Sequence, residues 1–258
     1  MSFLSALRFL TIIPLPGRRE VSPEALGRSI VYFPLVGVII GLILAGLNWL
    51  LGWLLPSALV NVLLVVALAA ISGALHLDGL VDICDGMAGG KTVEERWRVM
   101  EDSRAGSFGI IGVCLLLLVK YVSLNAMPAR WLMPTLVLMP VVSRWAMVYA
   151  VFAYPYAKPS GLGTVFKQGA SWPRFTIATV ITLAVAVVLA QLAGFIIMLI
   201  IWVIVVAMAA CLKGKFGGLT GDTYGAINEV AEVCLLILVC LLAHVGWLSW
   251  ASNILWGA

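Results

Sequence analysis

Between Arg28 and Asp78 lie 49 consecutive residues without a formal charge. A bilayer core takes about 20 apolar residues per helix, and the turn pair Pro56-Ser57 divides the run into two such lengths, roughly 30–54 and 58–76. Similar runs follow at roughly 106–125 and 131–153. Between Arg174 and Lys213 lie 38 further uncharged residues with "QLAG" (Gln191 to Gly194) near the middle, which reads as a helical hairpin of two spans. A last apolar stretch at roughly 233–250 makes about seven. Composition removes the soluble alternative: 63% of residues are hydrophobic and 11% charged, where a soluble domain is nearer one half and one quarter. The expectation is an all-α, polytopic membrane bundle forming one domain over residues 1–258.

Basic residues favour cytoplasmic loops. With the N-terminus inside, segments 1–29, 77–105, 154–174 and 213–232 face the cytoplasm and hold 13 of the 16 Lys and Arg. All twelve acids fall in the same segments. Lys120, Arg130 and Arg144 lie elsewhere, Arg144 within a predicted span. The opening "MSFLSALRFLTIIPLPG" is too short and too early broken by Pro14 and Pro16 to cross, so an interfacial helix with Phe3, Leu7 and Leu10 on one side is expected. The five cysteines have no C-x-x-C spacing and read as apolar fillers. No basic stretch interleaved with aromatics points to nucleic acid, and no internal repeat points to a transporter of inverted halves.

Against this background "HLDGLVDICDG", His76 to Gly86, places three of the twelve acids in eleven residues. Asp78, Asp82 and Asp85 are spaced i, i+4, i+7 and share one helix face. Carboxylates packed at ~5 Å repel by roughly 3 kcal/mol at an effective dielectric of 20. A hard divalent cation resolves that repulsion, and Mg²⁺ takes one or two carboxylates together with substrate phosphates. The plainer alternative is that the acids cap a helix end or stand in a solvated loop. His76 lies roughly opposite Asp82 on a continuous helix, so it is either a structural histidine or a proton carrier, not an obvious ligand. Gly79 and Gly86 allow another backbone or a ligand to approach.

Two more stretches on the same expected side carry polar groups. In "MEDSRAGSFG" Ser103 and Arg104 precede an uncharged span; Arg104 serves either as a bidentate phosphate clamp or as a cytoplasmic anchor. The helix before them, with Trp97, Val99 and Met100 on one side, has an apolar face suited to the bilayer surface. In "KGKFGGLTGDTYGAINEVAE" the glycines before a helix start can present backbone N–H groups to phosphate, with Lys213 and Lys215 adding charge. Asp222 is there either as a helix cap or as a site acid; Glu229 shares its face, and Glu232 follows one turn on.

Taken in order, "GALHLDGLVDICDGMAGG", "MEDSRAGSFG" and "GGLTGDTYGA", with the opening "ALRFLTIIPLP" and the length, resemble the cobalamin synthase family, the adenosylcobinamide-GDP ribazoletransferases. The resemblance covers almost the whole chain; Cys84 and Met87 depart from the small or aliphatic residues expected there, and neither removes a candidate ligand. It implies Mg²⁺-dependent joining of adenosylcobinamide-GDP to α-ribazole or its 5′-phosphate, with loss of GMP, in the bacterial inner membrane. On that basis Asp78, Asp82 and Asp85 are the expected metal ligands, and one of them or Asp222 accepts the hydroxyl proton. Arg104 and Lys215 are the expected pyrophosphate contacts. Ser103, His76, Thr220, Gly221 and Glu229 complete the expected substrate surface. A homo-oligomer or a complex with other late-pathway enzymes stays open. Two other classes compete: a phospholipid-type phosphoalcohol transferase, whose D-x-x-D-G start is present but whose remaining motif is missing, and a cation-coupled transporter, which needs acids at mid-bilayer.

Overall fold

The computed structural model describes residues 2–14, 22–102 and 104–247, and every regular element among them is a helix. In chain order these are α1 (Ser2–Leu10), α2 (Pro23–Arg28), α3 (Phe33–Leu51), α4 (Ser57–Ile71), α5 (Leu75–Gly89) and α6 (Val93–Met100). They are followed by α7 (Ser107–Ala126), α8 (Ala129–Ala153), α9 (Leu162–Gly169), α10 (Trp172–Phe216) and α11 (Gly221–His244). A single 3₁₀ turn, Ser29–Tyr32, joins α2 to α3, and α1 lies on the bundle with Ala6, Leu7 and Leu10 buried.

α8 is the central post, buried over most of its length despite Pro134 and Pro140. α3 packs directly on it because Gly37 and Gly41 stand one turn apart. A Cβ on Gly41 would fall 2.5 Å from Val137 Cα, and one on Gly37 would fall 2.7 Å from Val141 Cα. Small residues at this spacing let two membrane helices approach until their backbones touch, where van der Waals packing replaces the missing hydrophobic drive.

Among the described residues, five helical segments are long and apolar enough to cross a membrane, and the bent pair α4–α5 brings the number to six. The 45-residue α10 holds two crossings. A straight helix of that length would run about 68 Å at 1.5 Å per residue, about twice the hydrocarbon thickness. Instead Gln191 leaves the helical region (φ 52°, ψ −132°), and Gly194 sits against the Ala186 backbone, where an added Cβ would fall 2.5 Å from the Ala186 carbonyl carbon. Eight residues of straight helix would separate those positions by about 12 Å. Tyr149 meets Phe175 from one arm and Trp202 from the other, each at a ring separation of 6.1 Å. The "QLAG" hairpin is therefore real, and about seven crossings follow.

Two boundaries differ from the sequence-based expectation. The span expected over 58–76 ends at Ile71, where the chain bends by 89° through Gly73 and Ala74, both at positive φ (60° and 55°). The aspartates thus lie on a separate helix set across α4. The segment expected to face the cytoplasm over 213–232 is mostly helix: α10 continues to Phe216 and α11 starts at Gly221. Glu229 and Glu232 are consequently inside a spanning helix.

There they meet the stray cations of the sequence. Lys120 of α7 donates to Glu229 (2.6 Å) and to Glu232 (2.5 Å), and Arg144 of α8 pairs with the other oxygen of Glu232. Ser143 and Asn228 add hydrogen bonds to the same oxygen, each 3.2 Å. All four charged side chains are at most 5% exposed. Two cations against two carboxylates leave no net charge in the low-dielectric interior, the condition for retaining ions there.

Candidate functional site

The site forms where α5 crosses the start of α11. Gly79 has no room for a side chain, since a Cβ would lie 2.8 Å from the Asp222 carbonyl oxygen and 2.9 Å from its Cα. About one turn away on each helix, a Cβ on Gly225 would lie 3.1 Å from His76 Cα. The glycines of the two motifs therefore bring the backbones together, and their contact carries Asp222 to the helix that holds Asp78 and Asp82.

Local chemistry prepares that crossing. Thr220 and Thr223 form a reciprocal cap at the start of α11: the Thr223 N–H donates to Thr220 Oγ1 (3.3 Å) and the Thr220 N–H donates to Thr223 Oγ1 (2.7 Å). Such a cap satisfies two of the otherwise orphaned donors of a helix start. The Thr220 hydroxyl also donates to Asp222 Oδ2 (3.3 Å). Thr220 is buried, whereas Gly221 is exposed with open space around it.

The electrostatics mark the place as one short of positive charge. Burial first, then the charges of Asp222, Asp78 and Asp85, push the Asp82 carboxyl up to about 6, with Lys158 opposing. Lys158 is the cation the sequence did not single out. It sits in the loop after α8, which is tied to the loop before α11 by two backbone hydrogen bonds of 2.9 Å, Ala157 N–H to Leu219 and Leu219 N–H to Pro155. Its ammonium lies 4.8 Å from the Trp97 ring centre. A lysine in a "YPYAKPSG" turn carries no sequence signal linking it to aspartates far away in the chain.

Asp85 has a different part. Its two oxygens accept the backbone N–H groups of Gly106 (2.7 Å) and Gly109 (2.8 Å), so it caps the start of α7 from another helix. A Cβ on Gly106 would lie 2.5 Å from Asp85 Oδ1, which explains why glycine flanks Ser107 and Phe108 in "AGSFG". The capping alternative for the acidic face is realised by this one member. Among the described residues no three His, Cys, Asp or Glu side chains are drawn together closely enough to hold a metal ion by themselves. The aspartate face is instead an open set of hard oxygen donors, which suits an ion that completes its shell with phosphate and water.

The remaining expected residues separate. Arg104 is exposed and forks onto Asp102 through Nε (3.0 Å) and one terminal nitrogen (2.7 Å); that carboxylate occupies the geometry a phosphate would take. The Arg104 fork holds the Asp102 carboxyl down to about 2. The Lys215 side chain is exposed while its carbonyl accepts Arg96 (2.9 Å). Ser103 lies outside the described residues. His76 is 1% exposed and its Nε2 has no hydrogen-bond partner among the described residues. Glu229 belongs to the buried ion-pair cluster and not to the aspartate face, because α11 turns it inward to Lys120. The expected bilayer-facing side of α6 faces protein: Val99 and Met100 pack on Gly89 and Gly86 of α5, and Trp97 donates to the Phe216 carbonyl (3.3 Å).

Fold and site together define a polytopic helical membrane protein with a carboxylate-lined centre where two glycine-spaced motifs meet. The chain belongs to the cobalamin-5-phosphate synthase family, whose model matches residues 2–240. An adenosylcobinamide-GDP ribazoletransferase of Geotalea daltonii is 39% identical over 241 residues, covering 93% of this chain and 97% of the relative. One from a Roseiflexus species is 40% identical, over 95% and 91%, and one from Pseudomonas syringae is 35% identical, over 94% and 100%. No solved structure matches the chain.

Proposed function

We propose that this membrane enzyme joins adenosylcobinamide-GDP to α-ribazole, or to its 5′-phosphate, and releases GMP. The observation that carries the assignment of the site is the Gly79–Asp222 contact, which places acids of two distant motifs at one helix crossing. A ribose hydroxyl of the nucleoside attacks the phosphorus that bears the aminopropanol arm. The new O–P bond forms as the pyrophosphate P–O bond breaks; GMP leaves with the bridging oxygen, and an aspartate of the group Asp78, Asp82 and Asp222 takes the hydroxyl proton.

Asp78 and Asp82, with Asp222 beside them, are hard oxygen donors of the kind Mg²⁺ takes and would hold that ion, which would supply charge neutralisation on the pyrophosphate. Asp85 keeps α7 against α5 and so fixes the face on which its neighbours stand. Lys158 is the cation nearest in effect to the carboxylates and is the contact for the phosphates, while Arg104 and Lys215 stand apart, Arg104 with its fork on Asp102; the open N-terminus at Gly221, with Thr220, borders the nucleotide. The carboxylate face lies on the cytoplasmic side of the bacterial inner membrane, with the N-terminus inside.

Purified full-length protein in lipid nanodiscs, given adenosylcobinamide-GDP, α-ribazole and Mg²⁺, is expected to release GMP in equal amount to the cobamide formed. Absence of GMP with both the nucleoside and its 5′-phosphate contradicts the proposal.

A further inference from the structure

Next to the aspartates a partly enclosed cavity of about 210 Å³ opens between α1, the start of α3, α5, α8, α9 and α11. Asp78 and Asp222, neighbours at the Gly79 crossing, belong to its lining; most of the other lining side chains are aromatic or aliphatic, among them Phe9, Phe33, Phe166 and Val151. The three phenylalanines form one cluster, with ring centres 4.7 to 6.0 Å apart. Two further lining residues carry buried polar atoms without a partner among the described residues, Nε2 of His76 and the Tyr224 hydroxyl. His76 is 1% and Tyr224 3% exposed. Both atoms are closed off from the cavity itself, and the charged neighbours of His76 are Arg144, Glu232 and Lys120 of the buried cluster, so what the wall offers a ligand is chiefly apolar surface beside two carboxylates.

Size and polarity sort the parts of the proposed substrates, on whose assignment this step rests. Pockets for drug-sized ligands run to about 300–1,000 Å³, so a corrinoid macrocycle does not enter this one. Guanine presents donors and acceptors along a whole edge, and a wall of phenylalanine and aliphatic groups would leave most of them unpaired. A benzimidazole is flat, bicyclic and apolar, with a single ring nitrogen free to accept a hydrogen bond once the other carries ribose. With such a base inside, the attached ribose is within the surroundings of Asp78 and Asp222, which line the same cavity. We propose that this cavity seats the base of the acceptor nucleoside, and that Val151 and Phe166 set which planar bicyclic bases are accepted.

The test uses the full chain in nanodiscs. Val151→Phe fills the cavity and is expected to raise the KM for α-ribazole at least tenfold, leave that for adenosylcobinamide-GDP within twofold, and shift preference toward a riboside with a single-ring imidazole base. Phe166→Ala is expected to shift preference the other way, toward bases larger than dimethylbenzimidazole. Equal changes in both KM values, or an unchanged base preference in both variants, overturns the proposal. Photolabelling of the wild-type chain with an azidobenzimidazole riboside needs neither variant folding nor turnover. Label on peptides containing Met147 to Val151 or Leu162 to Phe166, displaced by excess α-ribazole, supports the cavity; label elsewhere, or label that α-ribazole does not displace, overturns it. Wild-type GMP release with label elsewhere rejects the cavity alone, whereas cavity labelling without GMP release rejects the reaction alone.

Discussion

Two aspartates three residues apart illustrate how much position decides. Asp82 stands among like charges with Lys158 opposing, while Asp85 has its oxygens filled by the N–H groups of Gly106 and Gly109. Removing the second therefore harms the fold directly. Asp85→Ala is expected to cost about 1–2 kcal/mol, the usual loss for a helix cap, visible as a lower thermal midpoint in detergent; an unchanged midpoint would show the cap to be idle. Asp82→Asn removes one of several mutually repelling carboxylates and is expected to leave that midpoint unchanged or raised. The shared face of Asp78 and Asp82 was legible in the i, i+4 spacing, and Asp222 in the glycines around it. The partners of Asp85 and the approach of Lys158 were not, because both depend on contacts between segments distant in the chain.

At the scale of elements, the bundle is held by close glycine contacts and by one buried charge cluster. Gly41→Leu must push α3 off α8, because the added side chain meets the Val137 backbone, which cannot step aside. Loss of folded protein in detergent is expected, and a variant as stable as wild type would show that the two helices do not need this approach. In the cluster, Glu232→Gln deprives Arg144 of its carboxylate and leaves Lys120 with Glu229 alone. Breaking a buried pair by removing one partner costs about 3–5 kcal/mol. Unfolding in a denaturing detergent titration is expected at a clearly lower denaturant fraction, and no shift would mean that water or lipid headgroups reach the cations. Lys120 and Arg144 were visible as charges inside apolar runs, yet the sequence did not identify their partners, since Glu229 and Glu232 looked like the end of a loop. The "QLAG" hairpin was legible because 38 uncharged residues are too many for one crossing. The face of α6 was not, because an amphipathic helix fits a bilayer surface and a protein groove equally well.

For the whole molecule, the uncharged runs disclose the number of crossings and the basic residues suggest the orientation, while the 89° bend at Gly73 and Ala74 decides how the acidic helix is presented. Single cysteines placed at Lys91 and Lys215 in a chain freed of its own five cysteines are expected to react only with reagent on the cytoplasmic side; reaction from the periplasm at either would separate the two halves of the site. In the proposed reaction the acids of α5 and α11 act together on the pyrophosphate. GMP release against Mg²⁺ concentration, measured for Asp82→Asn, Asp222→Asn and the wild-type chain after confirming insertion, tests it most directly. At least a hundredfold loss of turnover is predicted for both variants, about 2.7 kcal/mol of transition-state stabilisation, with partial recovery of Asp82→Asn as Mg²⁺ is raised. Near-wild-type curves for the two variants would contradict it.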